Sequence, residues 1–282
     1  MRVFDCFTFY NEFDILELRL QELWDTVDFF VIAEGNLTHQ SNPKPFYLKD
    51  NWERFEKYSS KIRHIMLDDM PGDPNTWVNE NFQRRELRRG LTDLQPDDLV
   101  IVSDCDEIPR PEAIELIKED TNGYSRYVLG IPLFYFKLNF LMVQPHARQR
   151  NIIVTRASEF TDAQRERKFT FNRSNLPIVD TNTNSVIIDH GGWHWTYFGH
   201  NDFAANKLKN FAHAESKGLA DTVDVDYMIA NKVGFLGFNY VERFEYVTVD
   251  DYFPRIIVEN LEKYQDMIVP NATHSVYDFY PE

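Results

Sequence analysis

No stretch of this sequence approaches the ~18 uninterrupted apolar residues that a membrane-crossing helix requires. The opening residues, MRVFDCFTFYNEFD, also lack the pattern of a secretory leader: acidic Asp5 interrupts the apolar residues and no small-residue cleavage site follows, so they read as a short strand. A soluble, cytoplasmic protein is the expectation. Cysteine is scarce: Cys6 and Cys105 are the only two, both in or beside apolar strand-like segments. That excludes a disulfide framework as the source of stability and makes a reducing compartment the default. Positive charge is in deficit, with 30 Lys and Arg against 45 Asp and Glu, a formal charge of -15. Such a surface repels nucleic acid and anionic membranes, so an anionic ligand needs a metal or a local basic pocket. Repeats and low-complexity tracts are absent. The N-x-S/T triplets at Asn36, Asn172 and Asn271 are matches that chance produces in a chain of this length, and no function is assigned to them.

What is present suffices for a sizeable core: 282 residues, 43% hydrophobic and 15% aromatic. The first ninety residues alternate strand and helix signals. RVFDCFTF reads as a strand; Phe13, Leu16, Leu20, Leu23 and Trp24 then recur at helical spacing; DFFVIAE is a second buried strand. A polar loop with two prolines follows, then a helix near 52–58, a strand over 62–67, and a helix over 77–90 with Gly90 as its stop. The next buried strand is 99–102. Strands separated by helices indicate an α/β fold, an open, mostly parallel sheet with helices on both faces. After a short helix over 111–118 the pattern changes. YSRYVLGIPLFYFKLNFLMV is rich in aromatic and β-branched residues, as in longer, antiparallel strands. A polar, mixed-charge run covers 157–168, SVIIDHGGWHWTYFG is a strand ending in glycines, and 201–216 reads as a helix with Ala204, Leu208, Phe211 and Ala212 on one face. One domain over 1–282 is expected, a first half over 1–120 and a second half over 121–282 that elaborates it.

In DDLVIVSDCDEIPRP a buried strand runs directly into Asp104, Asp106 and Glu107. Two aspartates one residue apart at a buried strand end cost repulsion and desolvation unless a cation or solvent compensates. Oxygen-rich sites of this kind suit Mg²⁺ or Mn²⁺, especially when substrate phosphates complete the coordination. Ligands of open α/β sheets bind at the carboxyl ends of the strands, where Asn11, Glu12 and Glu34 also fall. The alternative is that Asp104 and Asp106 are turn or capping residues. In DHGGWHWTYFGH, His194 could complete a metal shell, Gly191 and Gly192 could let a substrate approach the backbone, and Trp193 and Trp195 could stack on a sugar; ordinary core packing is the competing reading. In NENFQRREL, Glu80 and Arg84 are four apart, and Arg84, Arg85 and the later Lys207 are either exposed helix residues or cations for a diphosphate.

Taken in order, FDCFTFYNEFDILELRLQEL, VDFFVIAEGNLTHQSNPKP, NENFQRREL, VSDCDEIPRP and GGWHWTYFG followed by KLKNFAHAE resemble glycosyltransferase family 17, the β-1,4-mannosyl-glycoprotein 4-β-N-acetylglucosaminyltransferase-like proteins, over roughly residues 3–215. The resemblance implies an A-type glycosyltransferase fold, a UDP-sugar donor, expected to be UDP-N-acetylglucosamine, a glycan acceptor, and a divalent cation, Mn²⁺ or Mg²⁺, held through an Asp-x-Asp motif. Asp104 and Asp106 match that motif, Asp106 as the main metal ligand, with His194 as the later histidine completing the shell. Asn11, Glu12, Glu34, Arg84, Arg85, Asp104, Trp193 and Lys207 are the expected donor-site residues. The membrane anchor of the animal enzymes is not seen here, so residence in the Golgi and action on N-glycans do not carry over, and a bacterial or viral glycan is an open alternative.

Sugar transfer needs the leaving diphosphate stabilised. The family inverts at the anomeric carbon, so a carboxylate must take the acceptor's proton within ~3 Å; Asp189 and Glu242 are candidates by position. Two rivals stand beside this reading. A metal-dependent phosphoesterase would want two metals ~4 Å apart and more ligands than these strand ends offer. A non-catalytic glycan-binding module would use the tryptophans as its platform and the aspartates for Ca²⁺.

Overall fold

The computed structural model describes residues 1–144, 148–171, 179–198, 204, 206–207, 224–234 and 242–281. Among them, β1 (Val3–Thr8), β2 (Phe29–Gly35), β3 (Ile62–Leu67) and β4 (Leu99–Val102) form a parallel block in the order β4-β1-β2-β3. Every residue of β4 is buried, as a strand covered on both faces must be. Side chains alternate between faces. Val3, Phe7, Phe30, Ile32, Leu99 and Ile101 belong to one core, which α1 (Phe13–Glu22) and α5 (Pro111–Glu119) cover. Phe4, Cys6, Val31, Ala33, Val100 and Val102 belong to a second core, beneath α4 (Thr76–Arg85) and the turn after it.

Short helices α2 (Tyr47–Asp50) and α3 (Trp52–Phe55) precede β3. The helix expected over 77–90 is α4 for its first part and a 3-10 segment, Glu86–Gly90, for the remainder. Asn75 starts α4 by accepting a hydrogen bond from the Trp77 amide, and Pro111 opens α5 where its missing N–H costs nothing.

The second half turns the sheet mixed. β5 (Glu107–Pro109), β6 (Arg126–Tyr135), β7 (Phe140–Gln144), β8 (Arg148–Arg156) and β12 (Arg243–Tyr246) extend the path as β12-β7-β6-β8-β4, each step antiparallel, with β5 lying off it. The parallel character expected of most of the sheet holds for its first half, and along this path the aromatic strands after residue 121 pair antiparallel, as their composition suggests. The polar run over 157–168 contains a helix, α6 (Ala163–Phe171), packed beside α4 and β8.

SVIIDHGGWHWT is two strands rather than one: β10 (Ser185–Ile188) and β11 (Gly192–Thr196), broken where His190 takes φ 55°. The short strand β9 (Val179–Asp180) pairs with β10. The paired glycines serve this packing and not a substrate. A Cβ on Gly192 would sit 2.3 Å from the Ile108 carbonyl of β5, and one on Gly191 would sit 2.7 Å from Leu129 Cβ of β6.

A third core joins β6, β7 and β12 to α7 (Val225–Asn231) through Tyr135, Phe140, Phe244 and Met228. Near the C-terminus α8 (Arg255–Val258) and α9 (Leu261–Tyr264) supply Ile257 and Tyr264 to the α1-side core. Of the helix expected over 201–216, positions 204, 206 and 207 are described; the rest lies outside the described residues. No helix among the described residues is long and apolar enough to cross a membrane.

Candidate active site

The site begins with an arginine buried beneath the acidic loop. Arg19 of α1 is fully buried and donates to both oxygens of Asp5 on β1, at 2.6 and 2.7 Å. It also reaches Ser103 Oγ at 2.6 Å and the carbonyls of Asp104 (2.9 Å), Cys105 (3.2 Å) and Glu107 (2.7 Å). Several carbonyls of the loop after β4 are thereby drawn inward, while the side chains of Asp104 and Asp106 line a cavity of about 670 Å³. That cavity lies at the carboxyl ends of β1, β2 and β4, the edge where sheets of this kind take ligands.

The two aspartates are held differently. Asp104 accepts from Arg84 Nη2 of α4 at 2.9 Å and from Arg167 Nη2 of α6 at 2.8 Å, one arginine to each oxygen. Arg84 is also paired with Glu80 at 2.8 Å, while Arg167 grips both oxygens of Glu107 at 2.8 Å. Burial alone would raise the Asp104 carboxyl, but the Arg167 and Arg84 guanidinium groups outweigh it and hold it well below the usual carboxylate range. Asp106 accepts from Lys207 Nζ at 2.6 Å, and its other oxygen faces His194 Nε2 at 3.6 Å. Here too burial opposes ionisation, and the Lys207 ammonium outweighs it, keeping the Asp106 carboxyl well below its ordinary value. Lys207 is correspondingly raised: desolvation lowers it, Asp106 and Glu12 more than restore it.

His194 is oriented from behind. Its Nδ1 lies 2.6 Å from Gln149 Oε1, an oxygen that also accepts from Asn151 Nδ2 at 3.0 Å. An amide oxygen only accepts, so the neutral ring carries its proton on Nδ1 and presents the Nε2 lone pair toward Asp106. Among the described residues no group of three or more His, Cys, Asp or Glu side chains is arranged to hold a metal ion. Asp106 Oδ1 and His194 Nε2, 3.6 Å apart, nonetheless lie within the span of roughly 4.2 Å that two donors at about 2.1 Å from one hard cation can cover. The pair suits a cation that draws its remaining ligands from substrate oxygens and water. Asp104, each of whose oxygens already meets an arginine, is an anchor for those arginines and not an open ligand.

Of the residues expected from the sequence, Glu12, Arg84, Asp104, Asp106, His194 and Lys207 line this one cavity. The others do not. Glu34 is fully buried and accepts from the Leu48 amide, His64 and Lys44, so it reaches the cavity only through Lys44, which does line it. Asn11 lies beside Glu12 and gives it a backbone N–H, and Arg85 points to solvent on α4. Trp193 and Trp195 are each 1% exposed, stacked with ring centroids 5.8 Å apart, with Nε1 donating to the carbonyls of Tyr252 and Leu138. They are core residues and offer no platform to a glycan. Asp189 and Glu242 do not line the cavity; Asp189 packs against Gly130, and Glu242 is buried beside Gly234 and accepts from Tyr135. A base must lie within hydrogen-bond reach of the proton it takes, so neither is placed for that role.

Sequence reasoning missed Arg19, Arg167, Gln149, Lys44 and Trp77. Arg167 lies inside the polar, mixed-charge run over 157–168. A signal was there: Gln164 and Arg167, three apart, share the buried face of α6 with Ala163. Trp77, 42% exposed, lines the cavity from α4 on the β2 side, together with Leu37 and His39.

The β-1,4-mannosyl-glycoprotein 4-β-N-acetylglucosaminyltransferases of Rattus norvegicus and Homo sapiens are each 33% identical to this chain over 125 residues, 42% of its length. The matched stretch covers 23% and 24% of those proteins, so the chain spans about a quarter of the length of the curated relatives it matches. The crystal structure of S. aureus TarS 1-349 is similar at 12% identity and a TM-score of 0.39, covering 77% of this chain and 68% of that one. The profile of Glycosyltransferase family 17 matches residues 1–233, most of the sequence and every element that builds the cavity. The chain belongs to glycosyltransferase family 17.

Proposed function

We propose that the cavity binds a nucleoside-diphosphate sugar and that the chain transfers the sugar to a glycan acceptor with inversion at the anomeric carbon. The names of its relatives favour N-acetylglucosamine as the sugar, and UDP is the carrier we assign to it. The observation that carries the reading is the acid pair Asp104 and Asp106, aimed from the end of β4 into a cavity of about 670 Å³ that also presents Arg84, Arg167, Lys207 and His194. In a protein of formal charge -15, this cavity lining carries as many Lys and Arg as acidic side chains, so it is less acidic than the chain at large.

Asp106 and His194 would hold a divalent cation, Mn²⁺ or Mg²⁺. When bound, that ion supplies charge neutralisation for the leaving diphosphate. The chain's own groups do the rest. Lys207 and Arg84 offer N–H donors to the same oxygens, and Phe9, Leu37 and Trp77 on the β1 and β2 side give an apolar and aromatic surface suited to the nucleoside. Gln149 keeps the His194 ring in one tautomer and orientation.

The test is a donor screen: each UDP- and GDP-sugar is incubated with the protein and Mn²⁺, with and without a glycan acceptor. Nucleotide release that rises with acceptor, accompanied by a glycosylated product, is the expected result. Steady phosphate release indifferent to acceptor would assign the site to a phosphoesterase, and the absence of any Mn²⁺-dependent thermal shift with UDP would sink the donor-site reading.

A further inference from the structure

The ammonium of Lys207 stands where a cation at Asp106 would least tolerate it. Its Nζ is 2.6 Å from Asp106 Oδ2, and the two side chains are 12% and 8% exposed, so water does little to screen what happens between them. The other oxygen of the same carboxylate faces His194 Nε2 at 3.6 Å. A dication accepted between Asp106 and His194 would share one carboxylate with a buried ammonium, and like charges a few ångströms apart in a poorly solvated cleft repel strongly. The lining of the cavity reinforces the point, since its acidic side chains and its Lys and Arg side chains are equal in number, five of each. The cavity is close to neutral as it stands. A dication alone or a diphosphate alone would leave it unbalanced, whereas the two together nearly cancel.

We propose that Lys207 is a built-in competitor for the cation at Asp106, and that it couples the two ligands: the diphosphate draws the ammonium off Asp106 and thereby admits the cation. Cation and nucleoside diphosphate then bind as a pair, and each strengthens the other by the same factor. Lys207 is thus a positioning and selectivity residue, answering to the donor on one side and to Asp106 on the other. This inference rests on the reading of Asp106 and His194 as the cation's protein ligands.

The experiment titrates Mn²⁺ into the whole chain and follows free Mn²⁺ by electron paramagnetic resonance, with and without UDP, for the unsubstituted protein, Lys207→Met, Lys207→Gln and Lys207→Arg. Without UDP, Lys207→Met should bind Mn²⁺ about tenfold more tightly than the unsubstituted protein, and Lys207→Arg, which keeps the charge, should not. The strengthening of Mn²⁺ binding by UDP should be large in the unsubstituted protein and much smaller in Lys207→Met. Thermal unfolding checks that each variant is folded; should Lys207→Met fail to fold, Lys207→Gln, a shorter side chain that loses the charge and retains an N–H donor, carries the same comparison. Equal Mn²⁺ affinity in the uncharged variants and the unsubstituted protein overturns the competitor role while leaving the cation site in place. Absence of Mn²⁺ binding in every protein, with or without UDP, overturns the site itself and the inference with it.

Discussion

At the scale of single residues, the two aspartates of one motif have different surroundings. Asp106 shares a pocket with a histidine lone pair and an ammonium, while Asp104 is clasped by two arginines. Asp106→Asn should therefore lower turnover by roughly 100-fold or more with the fold intact, measured as sugar transfer alongside circular dichroism; full activity would remove Asp106 from the ligand set. Gln149→Leu leaves both proposed ligands in place but frees the His194 ring, and should weaken Mn²⁺ binding about tenfold; an unchanged titration would show that the ring needs no such support. Trp193 illustrates the opposite case. Because it is buried against Trp195 and Arg110, Trp193→Ala should cost about 3–5 kcal/mol of stability in denaturant unfolding. A variant of unchanged stability with lost sugar affinity would contradict its place in the core.

Between elements, the buried Arg19–Asp5 pair ties α1 and β1 to the loop that carries the acids, and α6 clamps the same loop through Arg167. Breaking a buried ion pair by removing one partner leaves an uncompensated charge, so Arg19→Met should destabilise by about 3–5 kcal/mol. Here the loss also releases the carbonyls that shape the site. The double variant Arg19→Met with Asp5→Leu should recover part of that stability in equilibrium unfolding but not the activity, because no group then holds the loop. Equal loss of stability in the single and double variants would argue against the pair as the origin of the effect. Neither arrangement announces itself locally: Arg19 is one charged residue in an amphipathic helix, and its partners lie 14 to 88 residues away.

For the molecule as a whole, acid sensitivity follows from carboxylates that the fold holds in their charged form. Asp93 and Asp98 near the amino ends of the strands, bound by Arg63 and Arg2, and Asp104 and Asp106 at the other end, all sit below their ordinary values. A lowered native value means that the unfolded chain takes up protons first as pH falls. The stability these groups contribute is thus complete above the unfolded aspartate range and is lost progressively from about pH 5 downward. The thermal midpoint should drop steadily over that interval, and a flat profile there would refute it. Much of this molecule was legible beforehand. Period-two and helical spacings of apolar residues located the parallel block, α1 and α5, since those patterns arise from neighbours in the chain, and the apolar run directly before Asp104 and Asp106 put acids at a strand end. What the chain order could not show is which distant groups meet. Arg167 and Lys207 lie 63 and 101 residues from the aspartates they neutralise, and Trp193 looks the same in sequence whether it faces a sugar or a core. The sequence by itself determined the strands, the helical faces and the acidic edge, all local consequences of hydrophobic period. Only the tertiary structure decided the partners, because electrostatic pairing and burial act through space between residues that the chain keeps far apart.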